Sequence, residues 1–347
     1  MPQRPALDDV FIVVTERAGN GPRLVGVDRR GDRMFDVVEP AATLVRDSNP
    51  AISPDGKWLV FASSRGRSLD ATSLWLAPLG YEAVPRPLTR GDFIDTHPTW
   101  APDGQSIIFA STRSGTFDLW RVALTMEGPQ PSAGQLTQLT SDATHEVTPN
   151  VASDGRIVFS VVAPAGATPS SHLALLTPGA ASAIALTDGQ GDSSPAFSPD
   201  GERIAFAAPS VRRQTIDGKM VESVDGDIWV MPATGGPPRL ALASPDTDEG
   251  GPVWSSDGRT LFATSLLRGA QGQVLFSAVI FNRGNATERP RMLIDQAGAV
   301  ERLAPTLRPG RPTTADVAAL QQAPDYQQRL AAIVKDALQR NAATKAP

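Results

Sequence analysis

The chain has 347 residues, a net charge of −5 at neutral pH and no cysteine. The lack of cysteine excludes disulfides, thiol nucleophiles and cysteine-ligated metals, and the scattered basic residues argue against a nucleic-acid partner. No apolar stretch is long enough to span a bilayer, and the opening residues Met1-Pro2-Gln3-Arg4 lack the pattern of a signal peptide.

The first predicted elements form an incomplete unit. After an N-terminal extension over residues 1–8, β-rich segments follow at 11–15, 23–27 and 33–38. They predict the second, third and fourth strands of a sheet that has no first strand before them. A matching first strand is predicted at 302–307, near the other end of the chain. Pairing the two ends in one sheet would remove the exposed edges that an open array leaves.

The middle of the chain repeats one pattern five times, a proline near the start of a short apolar run that leads into an Asp-Gly turn. The prolines are Pro50, Pro98, Pro149, Pro195 and Pro252, and an incomplete sixth copy begins at Pro305. Their spacing of 46 to 57 residues, in units that are rich in strands and turns, is typical of propeller blades.

Each repeat predicts four antiparallel strands, because the residues after each Asp-Gly form the second arm of a hairpin and two further segments follow. The sequence therefore predicts an all-β fold, a six-bladed β-propeller over residues 9–310, closed by N- and C-terminal strands that share one blade. A C-terminal helical tail with a disordered end is predicted over 311–347. The six tryptophans fall at repeat positions in strands, which favours packing between blades over a sugar-binding platform.

The repeats also resemble a known family. Three segments match the elements of the TolB-type β-propeller repeat almost residue for residue, namely Pro98 to Gly104, Ile107 to Arg113 and Asp227 to Val230. The resemblance extends over about residues 9–310. It implies a propeller of a kind that bacteria commonly export, hence a periplasmic or envelope-associated protein with protein partners. The TolB protein itself resembles a propeller behind a separate α/β domain, whereas this chain starts directly on strands.

An acidic residue recurs three positions before each proline, and an arginine recurs in the loop between the second and third strands. The acids are Asp47, Asp95, Glu146, Asp192 and Glu249, with Arg302 at that place in the closing unit; the arginines are Arg17, Arg65, Arg113, Arg212 and Arg268. Because first strands line the axis of a propeller, the acids are predicted at the channel mouth, where they could hold a divalent cation or a cationic group of a partner. The other interpretation is recurring ion pairs between blades, since unpaired carboxylates at one level would repel one another.

Two histidines, His97 and His145, lie near the same predicted entrance. With Asp95 and Glu146 they could bind a transition metal, but no third ligand is evident, and a surface or hydrogen-bonding role is the other interpretation. The Ser-Pro-Asp-Gly sequences recur as turns do, and no Gly-x-Ser-x-Gly elbow is present. No catalytic residue, no metal site and no cofactor are predicted.

Two features are not repeated. The insertion finger, residues 209–225 of the fourth repeat, predicts a projecting Asp-Gly hairpin with basic and apolar side chains, namely Arg212, Arg213, Ile216, Lys219 and Met220. The tail predicts a helix from Pro324 whose apolar stripe comprises Tyr326, Leu330, Ile333, Val334 and Leu338. Such a helix is marginal alone in water, so it is expected to dock on the propeller or on another protein.

These features together predict a non-catalytic protein-interaction platform, a subunit or accessory factor of a bacterial envelope assembly. Its partners would be other proteins, bound through the loop-rich face and the C-terminal helix, with no transmembrane segment. The alternative is a lyase or hydrolase that acts on a small or saccharide ligand at the channel mouth, with His97 and His145 as ligands or bases.

Overall fold

A computed structural model of the chain describes residues 10–18, 21–28, 34–41, 43–80, 82–128, 130–164, 170–189, 191–216, 219–243, 247–267, 274–282, 285–286, 291–295, 306–310 and 315. Every element within these ranges is a strand. Among these residues no helix is long and apolar enough to cross a membrane.

The strands follow the chain in groups that match the repeats. The first group is β1 (Val10–Ala18), β2 (Gly21–Asp28) and β3 (Met34–Asp36). Sheet 1 contains β4 (Asp47–Ile52), β5 (Trp58–Ser63), β6 (Ser73–Pro78) and β7 (Arg86–Pro87). Sheet 2 contains β8 (Asp95–Trp100), β9 (Ser106–Ser111), β10 (Asp118–Thr125) and β11 (Ser132–Gln138). Sheet 3 contains β12 (His145–Val151), β13 (Ile157–Val162), β14 (Ser171–Leu176) and β15 (Ile184–Ala185).

The remaining strands complete the series. Sheet 4 contains β16 (Ser193–Phe197), β17 (Arg203–Ile216), β18 (Lys219–Pro232) and β19 (Arg239–Leu242). Sheet 5 contains β20 (Thr247–Trp254), β21 (Thr260–Leu267), β22 (Val274–Asn282), β23 (Asn285–Ala286) and β24 (Arg291–Asp295). The last strand is β25 (Thr306–Leu307).

The strands of sheets 1 to 4 pair antiparallel with their neighbours in sequence, so each of these sheets is a meander. In sheet 5, β20 to β23 follow the same order and β24 pairs with β22. β25 pairs with β1, in the register Ile12 with Leu307 and Val13 with Thr306, and with β2 and β3 it forms the closing sheet. The prediction that the two chain ends share one sheet is therefore confirmed for the described strands. The arrangement is that of an all-β propeller.

The hydrophobic core lies between the sheets. Apolar clusters join the closing sheet to sheet 1, and then each sheet to the next as far as sheet 5. The central strands of sheets 1 to 5 each bury one phenylalanine completely, namely Phe61, Phe109, Phe159, Phe206 and Phe262. Trp100 and Trp254 are buried in two of these clusters, and Trp58, Trp75, Trp120 and Trp229 pack against them, as the sequence predicts.

The Asp-Gly turns show why serine recurs before them. In sheet 1 the Ser53 hydroxyl donates to Asp55 Oδ1 at 2.6 Å and accepts from the backbone N–H of Trp58 at 2.9 Å. Gly56 has φ of 71°, which glycine adopts without strain. The same serine–aspartate bond occurs at Ser198 and at Ser255, so these serines are turn residues rather than nucleophiles.

Of the two unrepeated features, the insertion finger and the C-terminal tail, the structure describes only the first. β17 and β18 form one long hairpin, paired from Arg203 with Pro232 to Ile216 with Lys219, so the predicted insertion hairpin is confirmed; its turn residues 217–218 lie outside the described residues. The helical tail predicted over 311–347 also lies outside them, except for residue 315. The structure therefore gives that tail and its stripe (Tyr326, Leu330, Ile333, Val334, Leu338) no support.

Candidate functional site: the central cavity and the insertion finger

One cavity lies where the first strands of all the sheets converge. It has a volume of about 390 Å³ and is lined by residues of β4, β8, β12, β16, β20 and β25. Its polar side chains are Asn49, His97, Thr99, Thr148, Asn150 and Ser194, and prolines, tryptophans and aliphatic residues form the rest of the wall. Within the described part of the chain, no carboxylate, arginine or lysine lines it. The wall therefore suits an uncharged ligand or chain segment better than an ion.

A backbone feature points polar side chains into this cavity. The residue before each repeated proline has positive φ: 51° at Asn49, 49° at His97, 53° at Thr148, 53° at Ser194 and 55° at Gly251. A register shift typical of a β-bulge occurs at each place. Bulges redirect side chains, and non-glycine residues adopt this conformation only when their surroundings impose it. The repeated fold thus holds four polar side chains at one level of the cavity.

His97 is the one ionisable group in this wall within the described residues. Burial lowers the pKa of His97 to about 4 from its usual 6.5, because the interior disfavours the charged imidazolium. Its Nδ1 is buried and has no hydrogen-bond partner in the described part of the chain. The side chain is therefore a neutral imidazole at neutral pH.

His145 does not line this cavity. Its Nδ1 accepts a hydrogen bond from the backbone N–H of Phe117 at 3.2 Å, and its ring packs edge-on against Phe117 at a centroid distance of 5.9 Å. Over the described ranges, no group of three or more histidine, aspartate or glutamate side chains is positioned to hold a metal ion. His97 lines the cavity and His145 packs against Phe117, so the two histidines lie in different surroundings.

The recurring acids are not among the residues that line this cavity. Asp47, Asp95, Glu146, Asp192 and Glu249 are all buried, and the cavity wall starts two residues further along, at the bulge. The bulge directs the residue before proline, and not the acid, into this cavity. The role of the acids at the channel mouth stays a prediction.

Two of these acids form ion pairs with the recurring arginines. Arg65 Nη2 donates to Asp47 Oδ2 at 2.7 Å, and Arg113 Nη2 donates to Asp95 Oδ1 at 2.8 Å. A serine on the second strand completes each site: Ser63 donates to Asp47 at 2.5 Å, and Ser111 donates to Asp95 at 2.6 Å. Ion pairing is therefore confirmed for these two acids, but each pair lies within one sheet and not between blades, because the arginine follows the strand that pairs with the acid's own strand.

The remaining recurring acids and arginines differ from one another in their surroundings. Glu146 and Asp192 have raised pKa values, chiefly because they are buried, while Glu249 is fully buried. Arg268 and Arg302 lie outside the described residues, and Arg17 and Arg212 lie on β1 and β17. Asp118, which the sequence pattern did not single out as a site residue, contacts Glu146.

The insertion finger presents apolar side chains to solvent. Val211, Met220 and Val224 are 62%, 68% and 69% exposed, and Val211 is opposite Val224 in the hairpin register. Between them, Arg213 Nε pairs with Glu222 Oε1 at 2.7 Å. Met220 was predicted; the two valines were not, although their alternation with Arg213 and Glu222 would have placed them on the same face. Lys219 and Ile216 lie at the hairpin ends of β18 and β17.

The fold and these two features define a β-propeller protein with an uncharged central cavity and one projecting hairpin. A family model described as the TolB beta propeller domain matches residues 41–226. Since that is more than half of the chain, the chain belongs to the TolB β-propeller domain family. No curated protein matches the sequence significantly.

Solved structures agree with this assignment. TolB from Acinetobacter baumannii superimposes with a TM-score of 0.61 and 19% identity over 86% of this chain, which covers 66% of that protein. A protein described as TolB from Agrobacterium tumefaciens gives 0.57 and 17%, over 85% of this chain and 92% of the other. An oligogalacturonate lyase in complex with manganese gives 0.47 and 15%, over 83% and 73%. At these identities the two TolB structures show the fold alone, and no activity is transferred from any of the three.

Proposed function

We propose that this chain is a non-catalytic protein-interaction platform, a subunit or accessory factor of a periplasmic or envelope-associated bacterial assembly. In this proposal the closing sheet and sheets 1 to 5 are the blades of one closed six-bladed ring. Membership of the TolB propeller family supports the proposal, as do relatives that are TolB proteins.

The exposed apolar row of the insertion finger carries the proposal. Beyond Ala207 and Ile228, neither β16 nor β19 pairs with this hairpin in the described residues, so it extends past its own sheet as a two-stranded ribbon. An isolated two-stranded ribbon is marginally stable in water. Covering Val211, Met220 and Val224 with a partner would stabilise the ribbon and remove apolar surface from water.

The buried ion pairs take a supporting part in this proposal. Asp47–Arg65 and Asp95–Arg113 tie the first strand of a sheet to the loop that follows its second strand. That loop lies on the same face of the ring as the finger, because both connect a second strand to a third. Arg65 and Arg113 would thus hold their loops rigidly on that face of the ring. The C-terminal tail would be a second contact for partners.

The experiment compares two sets of exposed apolar residues. The finger variant carries Val211→Thr, Met220→Thr and Val224→Thr; threonine keeps strand propensity and removes apolar surface. The matched control carries Leu136→Thr, Ile184→Thr and Leu240→Thr on fourth strands, which are also exposed. Capture from bacterial envelope extract should yield a defined partner set with the wild type and the control, and lose it with the finger variant. The same partner set with all three proteins would overturn the proposal.

The enzymatic alternative rests on His97 in the cavity wall. A neutral imidazole could act as a base there, yet no second acid or base lines the cavity among the described residues. Equal binding of small saccharides by wild type and His97→Asn, or no binding by either, would remove this alternative.

A further inference from the structure

Sheet 3 lacks the charge compensation that sheets 1 and 2 have. Asp47 and Asp95 lie opposite Ser63 and Ser111 in the strand register, and an arginine follows two residues after each serine. Glu146 lies opposite Val161, and Ala163 takes the place of the arginine. Glu146 is nevertheless as buried as its counterparts. Its carboxyl group therefore needs another source of stabilisation.

The nearest ionisable neighbour of Glu146 is another buried carboxyl group. The backbone N–H of Glu146 donates to the carbonyl oxygen of Phe117 at 2.7 Å, which brings β12 against the start of β10, where Asp118 lies. Thr144 donates to Glu146 Oε1 at 2.6 Å, and Thr140 donates to Oε2 at 3.2 Å. Two hydroxyl donors thus hold the Glu146 carboxyl group in place.

Of the two carboxylate oxygens of Asp118, only Oδ2 accepts hydrogen bonds within the described residues. Its Oδ2 accepts from Ser114, from Thr116 at 3.4 Å and from Gln138 at 3.4 Å. Its Oδ1 is buried and has no partner in the part of the chain that the structure describes. A buried acceptor without a donor is costly, so a donor for Oδ1 would stabilise this interface.

We propose that Glu146 holds a proton and donates it to Asp118 Oδ1, so that one shared proton joins sheet 2 to sheet 3 and its loss loosens this joint. Two buried carboxylates in contact strongly disfavour double ionisation. The protonated pair instead makes a charge-assisted O–H···O bond, which supplies the donor that Oδ1 lacks. The proton comes from water as the pH falls and returns to water as it rises.

The surroundings leave this pair without a counter-charge. Among the residues that the structure describes, Asp118 is the one charged group that acts appreciably on Glu146. Across β12, strand β13 offers Val161; on the β8 side, Asp95 is neutralised by Arg113. On β12 itself, His145 is engaged with Phe117, and on the β16 side Asp192 interacts with Asp188 and His172. Burial and the contact with Asp118 raise the pKa of Glu146 from 4.5 to about 7.

The direction of the pH effect follows from this shift. Between pH 4.5 and about 7, the folded chain keeps the Glu146 proton and the unfolded chain has lost it. Unfolding therefore releases a proton, and its equilibrium constant rises about tenfold per pH unit across this window from this group alone. Above pH 7 both states are ionised and the contribution is constant.

The test compares the full chain with Glu146→Gln, Asp118→Asn and the control Asp142→Asn, which removes an exposed acid four residues from Glu146. Unfolding by urea is measured from pH 5 to 8. The unfolding equilibrium constant of the wild type and the control should rise with pH more steeply than that of Glu146→Gln, by about tenfold per pH unit up to about pH 7. Asp118→Asn should show a smaller difference from the wild type, because burial alone still raises the pKa of Glu146 in that variant. The contributions of Asp192 and His97 are common to all four proteins and cancel in the comparison.

A second measurement keeps the proposal testable if a variant does not fold. Infrared difference spectra of the wild-type chain should show a protonated carboxyl band that disappears near pH 7. The absence of such a band at pH 6, or an equal pH slope in wild type and Glu146→Gln, would overturn the proposal.

Discussion

Replacement of Arg113 by methionine tests whether the recurring acids and arginines stabilise the fold. The side chains of Arg113 and of its ion-pair partner Asp95 are only 8% and 2% exposed. Arg113 donates to Asp95 at 2.8 Å and, through Nε, to Ser111 at 2.8 Å, and its guanidinium lies 5.1 to 5.3 Å from the rings of Trp120, Phe109 and Phe93. Methionine keeps much of the apolar stem and removes the charge.

The expected loss is large because the substitution leaves the Asp95 carboxylate buried with, among the described residues, only the Ser111 hydroxyl as a side-chain donor. Breaking one partner of a buried ion pair costs about 3–5 kcal/mol in the free energy of unfolding. The double variant Asp95→Asn with Arg113→Met removes the stranded charge, and it should lose only about 1–2 kcal/mol, since a neutral amide costs less to bury.

Urea denaturation at pH 7, followed by tryptophan fluorescence, measures both values. The reasoning is refuted if Arg113→Met costs less than about 1 kcal/mol, or if the double variant is no more stable than Arg113→Met alone. Arg65→Met is the matched variant in sheet 1, where the arginine is 14% exposed, and its loss should be somewhat smaller.

Two further predictions concern ring closure and the cavity. A chain ending at residue 305 loses the pairing of β25 with β1 and should aggregate through the freed edge, whereas a chain ending at residue 310 should stay monodisperse in size-exclusion chromatography; equal behaviour would contradict closure by the chain ends. His97→Asn, which copies Asn49 at the equivalent bulge, should abolish a loss of about 1.4 kcal/mol per pH unit as the pH falls from 6.5 to 4. Over that range the unfolded histidine binds a proton and the buried one does not, so an unchanged acid slope in the variant would refute the shift.

Much of the fold could be predicted from the sequence because its signals are local and recur in register. Each Asp-Gly turn sets the start of a second strand, and the long hairpin follows from Asp217-Gly218 between two β-rich runs. The pairing of β25 with β1 could be predicted because the N-terminal unit lacks a first strand, and the incomplete C-terminal copy supplies only a first strand.

The site was harder to predict because it depends on the backbone and on neighbouring sheets. The bulge before each proline needs positive φ at Asn49, His97, Thr148 and Ser194. Only a glycine at such a position would have indicated this backbone conformation from the sequence. The bulge directs His97 into the cavity, whereas Asp95, two residues earlier, is buried and does not line it. The contact of Asp118 with Glu146 joins residues of two sheets, so only packing reveals it.

The measurement that tests the central claim most directly is photo-cross-linking in living cells. A photoreactive amino acid replaces Val224 in the insertion finger and, in a second protein, Leu240 on a fourth strand; the natural side chains are 69% and 50% exposed. The account predicts a discrete cross-linked protein at position 224 and none at position 240. No cross-link at position 224, or the same products at both positions, would contradict the claim that the finger binds a protein partner.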